Sequence, residues 1–197
     1  MQIERAMLGI RTLGPGDRFV IWVNGCHRRC QGCVSQRLQQ FNPLNERDVV
    51  QYLSQFDLSA VSGVTISGGE PFEQYTDLYK AVEYFNQLGI DDILIYTGYT
   101  IEQLQDKRIA EIDYILQHIA VLIDGPYMQQ LDSGRGNLKG SDNQRIIFLN
   151  PKFKPLYDGY YSDTRAMQEF YIGNYVVAVG IPDKQYIENF KNPKGEH

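Results

Sequence analysis

The sequence predicts an α/β fold built on a parallel sheet, with a ligand site along one edge. Three observations carry this. Apolar strand patterns alternate with amphipathic helix patterns four times between Arg18 and Ile123, which argues a parallel sheet joined by right-handed crossovers. The first four strands each run into a cysteine-, glycine- or polar-rich segment. Those segments must gather at the carboxyl ends of the strands, where open α/β sheets and β/α barrels bind ligands. Finally, Gly173-Asn174 between two late strand patterns adds a β-hairpin behind the alternating core.

The first clear strand is Arg18 to Val23. Its Phe-Val-Ile-Trp-Val run is continuously apolar and rich in β-branched residues, as a strand buried on both faces must be. It leads into the cysteine loop. Asn45 is a good N-cap, and Val49, Leu53 and Phe56 share one face of the helix it would open. Val61 to Ile66 reads as the second strand, ending in Ser67-Gly68-Gly69-Glu70-Pro71. Tyr75, Leu78, Tyr79, Val82, Phe85 and Leu88 then recur at helical spacing, with Gly89 where a C-cap belongs.

The third strand covers Asp92 to Tyr96 and ends in Thr97-Gly98-Tyr99. Thr100 and Gln103 have capping-box spacing for the next helix. Ile109, Ile112, Ile115 and Leu116 mark a further amphipathic stretch. A fourth strand, Ala120 to Ile123, ends in Asp124-Gly125-Pro126-Tyr127. A glycine-rich polar loop follows over 131–144, then strands at Arg145 to Leu149, Glu169 to Ile172 and Tyr175 to Val179.

A chain of 197 residues fits one domain with a substantial core. The expected division is a core of about 10–150, a C-terminal extension over 151–191 and a polar, frayed end at 192–197. Net charge is −5 and pI about 5.2, so bulk electrostatics do not favour nucleic acid. No apolar run is long enough to span a bilayer, so no membrane association is expected. The first residues lack a signal-peptide pattern, and free thiols without one point to the cytoplasm.

The chain's three cysteines, Cys26, Cys30 and Cys33, fall within eight residues. An odd count cannot form a complete disulfide framework. Structural zinc needs four donors, usually in two separated pairs, and the fourth would have to be His27, His118 or His197. A cubane iron–sulfur cluster takes one thiolate per iron. Three cysteines would leave one iron open to a chelating small molecule. Gly32 and Val34 flank Cys33 and so would lie near any such ligand.

The order of these motifs resembles the radical SAM superfamily: Cys-x3-Cys-x2-Cys after the first strand, then Gly-Gly-Glu-Pro after the second. Within it, the chain is most similar to the activating enzymes of anaerobic (class III) ribonucleotide reductases. Gly32 inside the cysteine loop, Leu13-Gly14-Pro15-Gly16 before the first strand and Tyr96-Thr97-Gly98-Tyr99-Thr100 carry that closer match. So do Val121-Leu122-Ile123-Asp124-Gly125 and Lys139-Gly140-Ser141-Asp142-Asn143-Gln144. The resemblance covers roughly residues 10–150. Val34-Ser35 and Lys139 depart from the branch's usual residues, and some 50 residues follow the Asn-Gln segment.

The resemblance implies a partial, open β/α barrel of the radical SAM type with a C-terminal β-hairpin extension. It implies a [4Fe-4S] cluster on Cys26, Cys30 and Cys33, with S-adenosylmethionine chelating the open iron. Reductive cleavage would give a 5′-deoxyadenosyl radical, which would install a glycyl radical on a partner such as anaerobic ribonucleotide reductase. Ser67, Gly68, Gly69 and Glu70 would receive the methionyl ammonium. Thr97 and Gly98 would meet the cofactor's carboxylate or ribose, or simply cap a helix. Asp124 would orient a ribose hydroxyl or the substrate backbone, or serve as a turn residue. Lys139 to Gln144 would touch the adenosyl group or a partner, or form a solvated loop.

His27, Arg28 and Arg29 make a basic spot that would balance the cluster or meet a reduced flavodoxin- or ferredoxin-type electron donor. At least two of them are expected to be plain solvated residues. Two alternatives stand beside the activating enzyme: a radical SAM enzyme acting on a small molecule or short peptide, and a non-catalytic zinc-binding module.

Overall fold

A computed structural model describes residues 1–191; the end at 192–197, expected to fray, lies outside the described residues. The body is one six-stranded sheet in the order β1 to β6, matching the chain order. Its strands are β1 (Ile3–Ile10), β2 (Arg18–Val23), β3 (Gly63–Gly68), β4 (Ile93–Tyr96), β5 (Val121–Asp124) and β6 (Arg145–Phe148). The four central strands, β2 to β5, are parallel, as the alternation predicts, and both edge strands pair antiparallel. Crossovers carry α1 (Val49–Leu53), α2 (Tyr75–Gln87), α3 (Ile101–Gln105) and α4 (Ala110–His118).

The strands are apolar throughout because both faces of the sheet are covered. Phe19, Ile21, Val64, Ile66, Ile93, Ile95 and Leu122 face the helix layer, where Leu78, Val82 and Phe85 of α2 meet Ile112 and Ile115 of α4. The alternate residues face the other way. There, Leu94, Val121 and Ile123 pack on Tyr157 of α5 (Lys154–Tyr160). Val20 and Trp22 meet Val177 and Val179 of a hairpin made by β7 (Met167–Ile172) and β8 (Tyr175–Gly180). A last helix, α6 (Lys184–Lys191), follows.

Several elements differ from expectation. β1 was not anticipated: within it, only Ile3 and Ile10 are buried, so its pattern is too weak to read. Asn45 is not a helix cap. Its amide donates to Glu4 and Asn24, while Asp48 caps α1 by accepting from Gln51 N. β3 begins at Gly63 rather than Val61, which places Ser67 and Gly68 in the strand itself. Asp92 lies just before β4; its carboxylate is bound by Arg18, and its carbonyl accepts from both Arg18 and Val64 N of β3. Asp124 belongs to β5. The capping box of α3 forms as predicted, with Thr100 and Gln103 reciprocally bonded.

Candidate active site

The carboxyl ends of β2, β3 and β4 open into a cleft of about 460 Å³. Cys26, Cys30, Gly32, Cys33, Val34, Ser67, Gly68, Gly69, Glu70, Thr97 and Gly98 all line it. Eleven of the twelve site residues expected from sequence therefore share one cavity; Asp124 does not.

The cysteine loop is tied down at both ends. Gly25 N donates to Leu38 O at 2.8 Å and Cys26 N to Gln39 O at 3.0 Å. The neighbouring Gly-Gly-Glu segment locks onto it, with Gly69 N on Val23 O at 2.7 Å and Glu70 N on Gly25 O at 2.8 Å. A Cβ at position 69 would sit 2.2 Å from Gly25 O, so only glycine allows the two loops to approach this closely. Gly32 adopts a φ of +71°, and a Cβ there would collide with Gln129.

Burial raises the Cys26 and Cys33 thiol pKa values, which alone would keep them protonated. Backbone N–H groups of Arg28 and Arg29 lie against the Cys26 sulfur, and Ser35 N with the Gln39 side chain lies against that of Cys33. Such donors stabilise thiolates and set the potential of iron–sulfur clusters. Among the described residues, no three His, Cys, Asp or Glu side chains group to hold a single metal ion. A zinc ion would need its donors about 2.0–2.3 Å from one point, whereas a cubane spreads its thiolates over separate irons. The donor set fits the cluster.

Glu70 is 1% exposed. Its carboxylate accepts from Phe72 N at 3.1 Å, Thr97 Oγ1 at 2.8 Å and Gly98 N at 2.7 Å. Burial outweighs these donors and pushes its pKa up to about 7. Thr97 Oγ1 also accepts from Tyr99 N at 3.1 Å. Thr97 and Gly98 thus hold Glu70 in place from the end of β4.

Asp124 is fully buried and turned to other work. It binds Arg145 through both oxygens and accepts from Ile101 N at 2.8 Å. Arg145 continues to Glu102, whose pKa falls to about 2 because the guanidinium bonds it. Asp124 therefore joins β5, β6 and α3 and does not line the cleft.

The basic spot divides. His27 and Arg29 are exposed, and His27 Nδ1 meets Glu73 at 2.7 Å. Arg28 is not simply solvated: it lies over the Tyr99 ring at 4.2 Å, bonds Gln103 and lines the cleft. In the glycine-rich loop, Gln144 Oε1 accepts from Gly140 N and Ser141 N, and Gly140 and Gln144 reach the cleft.

A further part of the cleft lining carries no signal of its role in the sequence. Trp22, Tyr96, Tyr127, Asp132, Arg165 and β8 residues form it. Tyr127 follows Asp-Gly-Pro and could have been read as part of that segment. Arg165, an isolated cation in a polar stretch, gave no signal.

Compared with known proteins, residues 12–147 match a 4Fe-4S single cluster domain. The chain belongs to that family. It is similar to the anaerobic ribonucleoside-triphosphate reductase-activating protein of Enterobacteria phage T4, at 30% identity over 144 residues, covering 68% of this chain and 85% of the relative. The protein of the same name in Escherichia coli (strain K12) is 29% identical over 145 residues, covering 69% and 91%. A shorter match, 35% over 79 residues, joins it to the pyruvate formate-lyase-activating enzyme of Listeria monocytogenes and covers 36% of this chain and 30% of that one. This family member is a radical SAM enzyme of the type that activates glycyl-radical enzymes. The zinc-binding module without catalysis is thereby set aside. Among the described residues, no helix is long and apolar enough to cross a membrane.

Proposed function

We propose that this chain cleaves S-adenosylmethionine reductively and uses the product radical to install a glycyl radical on a partner protein, an anaerobic ribonucleotide reductase. The reading rests on one observation: the cysteine loop, Gly68-Gly69-Glu70 and Thr97-Gly98 come from three separate strand ends, yet line one cleft. Cys26, Cys30 and Cys33 would hold three irons of a [4Fe-4S] cluster. When bound, the cluster and S-adenosylmethionine would supply one-electron chemistry: one electron into the sulfonium would break the C5′–S bond and release methionine, and the 5′-deoxyadenosyl group would take a hydrogen atom from a glycine Cα, leaving 5′-deoxyadenosine and the glycyl radical.

This chain's residues do the holding. Glu70, fixed by Thr97 and Gly98, receives the methionyl ammonium, and its buried carboxylate favours a cation over water. Gly68 and Gly69 keep side chains out of that space. Gly32 and Val34 border the cofactor on the cysteine side. Arg28 offsets the negative charge of cluster and thiolates. A reduced flavodoxin- or ferredoxin-type protein supplies the electron in the cytoplasm, and nucleic acid takes no part. The sheet acts as an open, partial barrel.

The test is anaerobic reconstitution followed by incubation with reductant, S-adenosylmethionine and an anaerobic ribonucleoside-triphosphate reductase. About four irons and four sulfides per chain are expected, with 5′-deoxyadenosine formed and an EPR doublet appearing on the reductase. One zinc without sulfide would sink the cluster. Turnover of a small molecule with no radical on the reductase would shift the reading to a small-molecule enzyme.

A further inference from the structure

The C-terminal hairpin lies outside the residues matched by the family, 12–147, yet it forms one wall of the cleft. The unbroken run Val177, Ala178, Val179 and Gly180 lines the cavity, and no residue of β7 does. Successive residues of a strand point to opposite faces. A continuous run therefore borders the cleft with its backbone edge as well as with the face that carries Val177 and Val179.

That edge is open. Ile172 and Tyr175 flank the two-residue turn and are paired directly, so they exchange both backbone bonds. Alternation makes Phe170–Val177 and Gln168–Val179 the next bonded pairs. Val176 and Ala178 consequently aim their N–H and C=O groups away from β7. Among the described residues, no third strand joins this sheet. Natural proteins rarely leave a strand edge bare inside a cavity, because each unpaired backbone group seeks a partner.

A second observation comes from the same wall. Arg165 has a side chain only 2% exposed, paired to Asp132 at 2.8 Å and donating to the carbonyls of Pro182, Lys139 and Gly140. Its Nε is buried without an acceptor among the described residues. The wall thus holds a spare side-chain donor beside spare backbone donors and acceptors.

We infer that the outer edge of β8 takes up an extended peptide segment of the partner protein by strand addition, presenting that segment's glycine to the cleft. This rests on the function proposed above and names how the same site engages its substrate. Strand addition gives main-chain register, which fixes a Cα position independently of side chains. It also suits a protein better than a free small molecule. The far end of the hairpin exposes Tyr171, Ile172, Tyr175 and Val176, at 77%, 52%, 77% and 40%. That apolar tip continues from the edge away from the cleft, where the body of a protein partner would stand.

Ala178→Pro tests the inference. Proline removes the outward N–H at a position that makes no bond to β7, so the hairpin itself keeps its ladder. Ala178→Thr keeps the N–H and controls for added bulk. The expected result is a glycyl-radical yield on an anaerobic ribonucleoside-triphosphate reductase lowered about tenfold or more by proline, with threonine near wild type. Radical yield is read relative to the 5′-deoxyadenosine that each variant forms without the reductase, so that a general loss of cofactor cleavage does not count as lost docking.

Equal radical yield in proline and wild type overturns strand addition. A wild-type enzyme that forms no 5′-deoxyadenosine overturns the underlying function instead. Hydrogen–deuterium exchange guards against misfolding of the proline variant. In the wild-type protein, the Val176 and Ala178 amides should gain protection when the reductase is added, while unchanged exchange there overturns the inference. The emission of Trp22, the chain's one tryptophan and packed beside the hairpin, reports whether the hairpin stays docked.

Discussion

Each end of the parallel sheet buries a charged side chain, and the two ends treat it differently. At the amino end, Arg18 is fully buried but saturated. It bonds Asp92 Oδ2 at 2.7 Å, Thr65 Oγ1 at 2.7 Å, and the carbonyls of Val64, Asp92 and Pro15. Tyr157 of α5 closes the group by donating to Asp92 at 2.7 Å. At the carboxyl end, Glu70 has three donors and, among the described residues, no ion-pair partner; Arg28 acts on it through space alone. One end is complete within the chain. The other leaves a carboxylate short of a positive partner beside the cysteine loop, which is what a cation-binding site requires.

The largest effect should come from crossing the two ends. Asp92→Ala strands Arg18 in the core without its counter-charge and should cost about 3–5 kcal/mol in urea unfolding. Cys30→Ala, at a partly exposed position of the loop, should change the apo-protein's stability by less than about 0.5 kcal/mol. It should nonetheless abolish iron incorporation and formation of 5′-deoxyadenosine. If Cys30→Ala unfolded the protein as readily as Asp92→Ala, the division of labour between the ends would be wrong.

Glu70 should give a smaller effect with a characteristic pH dependence. Its folded pKa is raised, to about 7 from an ordinary 4.5. Between those values the folded protein binds more protons than the unfolded chain, so stability falls as pH rises. The contribution is complete below about pH 4.5 and lost above about pH 7. Its size should be on the order of 1–3 kcal/mol in the apo-protein. Glu70→Gln should flatten this part of the profile, measured as urea midpoints from pH 4.5 to 8, and should weaken S-adenosylmethionine binding. A wild-type profile already flat through this window would show that Glu70 stays ionised without a cation.

The same contrast in burial decides what could be read from the chain. The central strands were legible because burial on both faces makes them continuously apolar, and the loops were placed by following them. Glu70 and the cysteines stood out because their residue types are chemically unusual at those spacings. Asp124 stayed open between two roles: an aspartate after a strand looks alike whether it lines a cleft or binds Arg145, since the arginine lies 21 residues further on. Arg18 was read only as the start of a strand, because its partners Thr65, Asp92 and Tyr157 are distant in sequence. β8 was recognised as a hairpin strand. That its edge borders the cleft depends on docking contacts such as Thr12 Oγ1 to Val179 O at 3.0 Å, which have no local signature.

The smallest effect tests whether α5 belongs to the amino-end network or merely covers it. Tyr157→Phe removes one hydroxyl and keeps the ring that packs on Phe148, Leu94 and Val121. Asp92 keeps Arg18, so no charge is stranded, and the loss should be about 1 kcal/mol. Cluster assembly at the far end should be unaffected. The decisive measurement is the double variant with Asp92→Ala. Residues sharing one hydrogen-bond network do not add, so once Asp92 is gone, removing the Tyr157 hydroxyl should cost little more. Full additivity would mean that the hydroxyl stabilises something other than the Arg18–Asp92 pair. The contacts of Tyr160 and Gln168 with the segment from Gly9 to Gly14 would then hold the C-terminal extension in place, and the amino-end network would be complete without Tyr157.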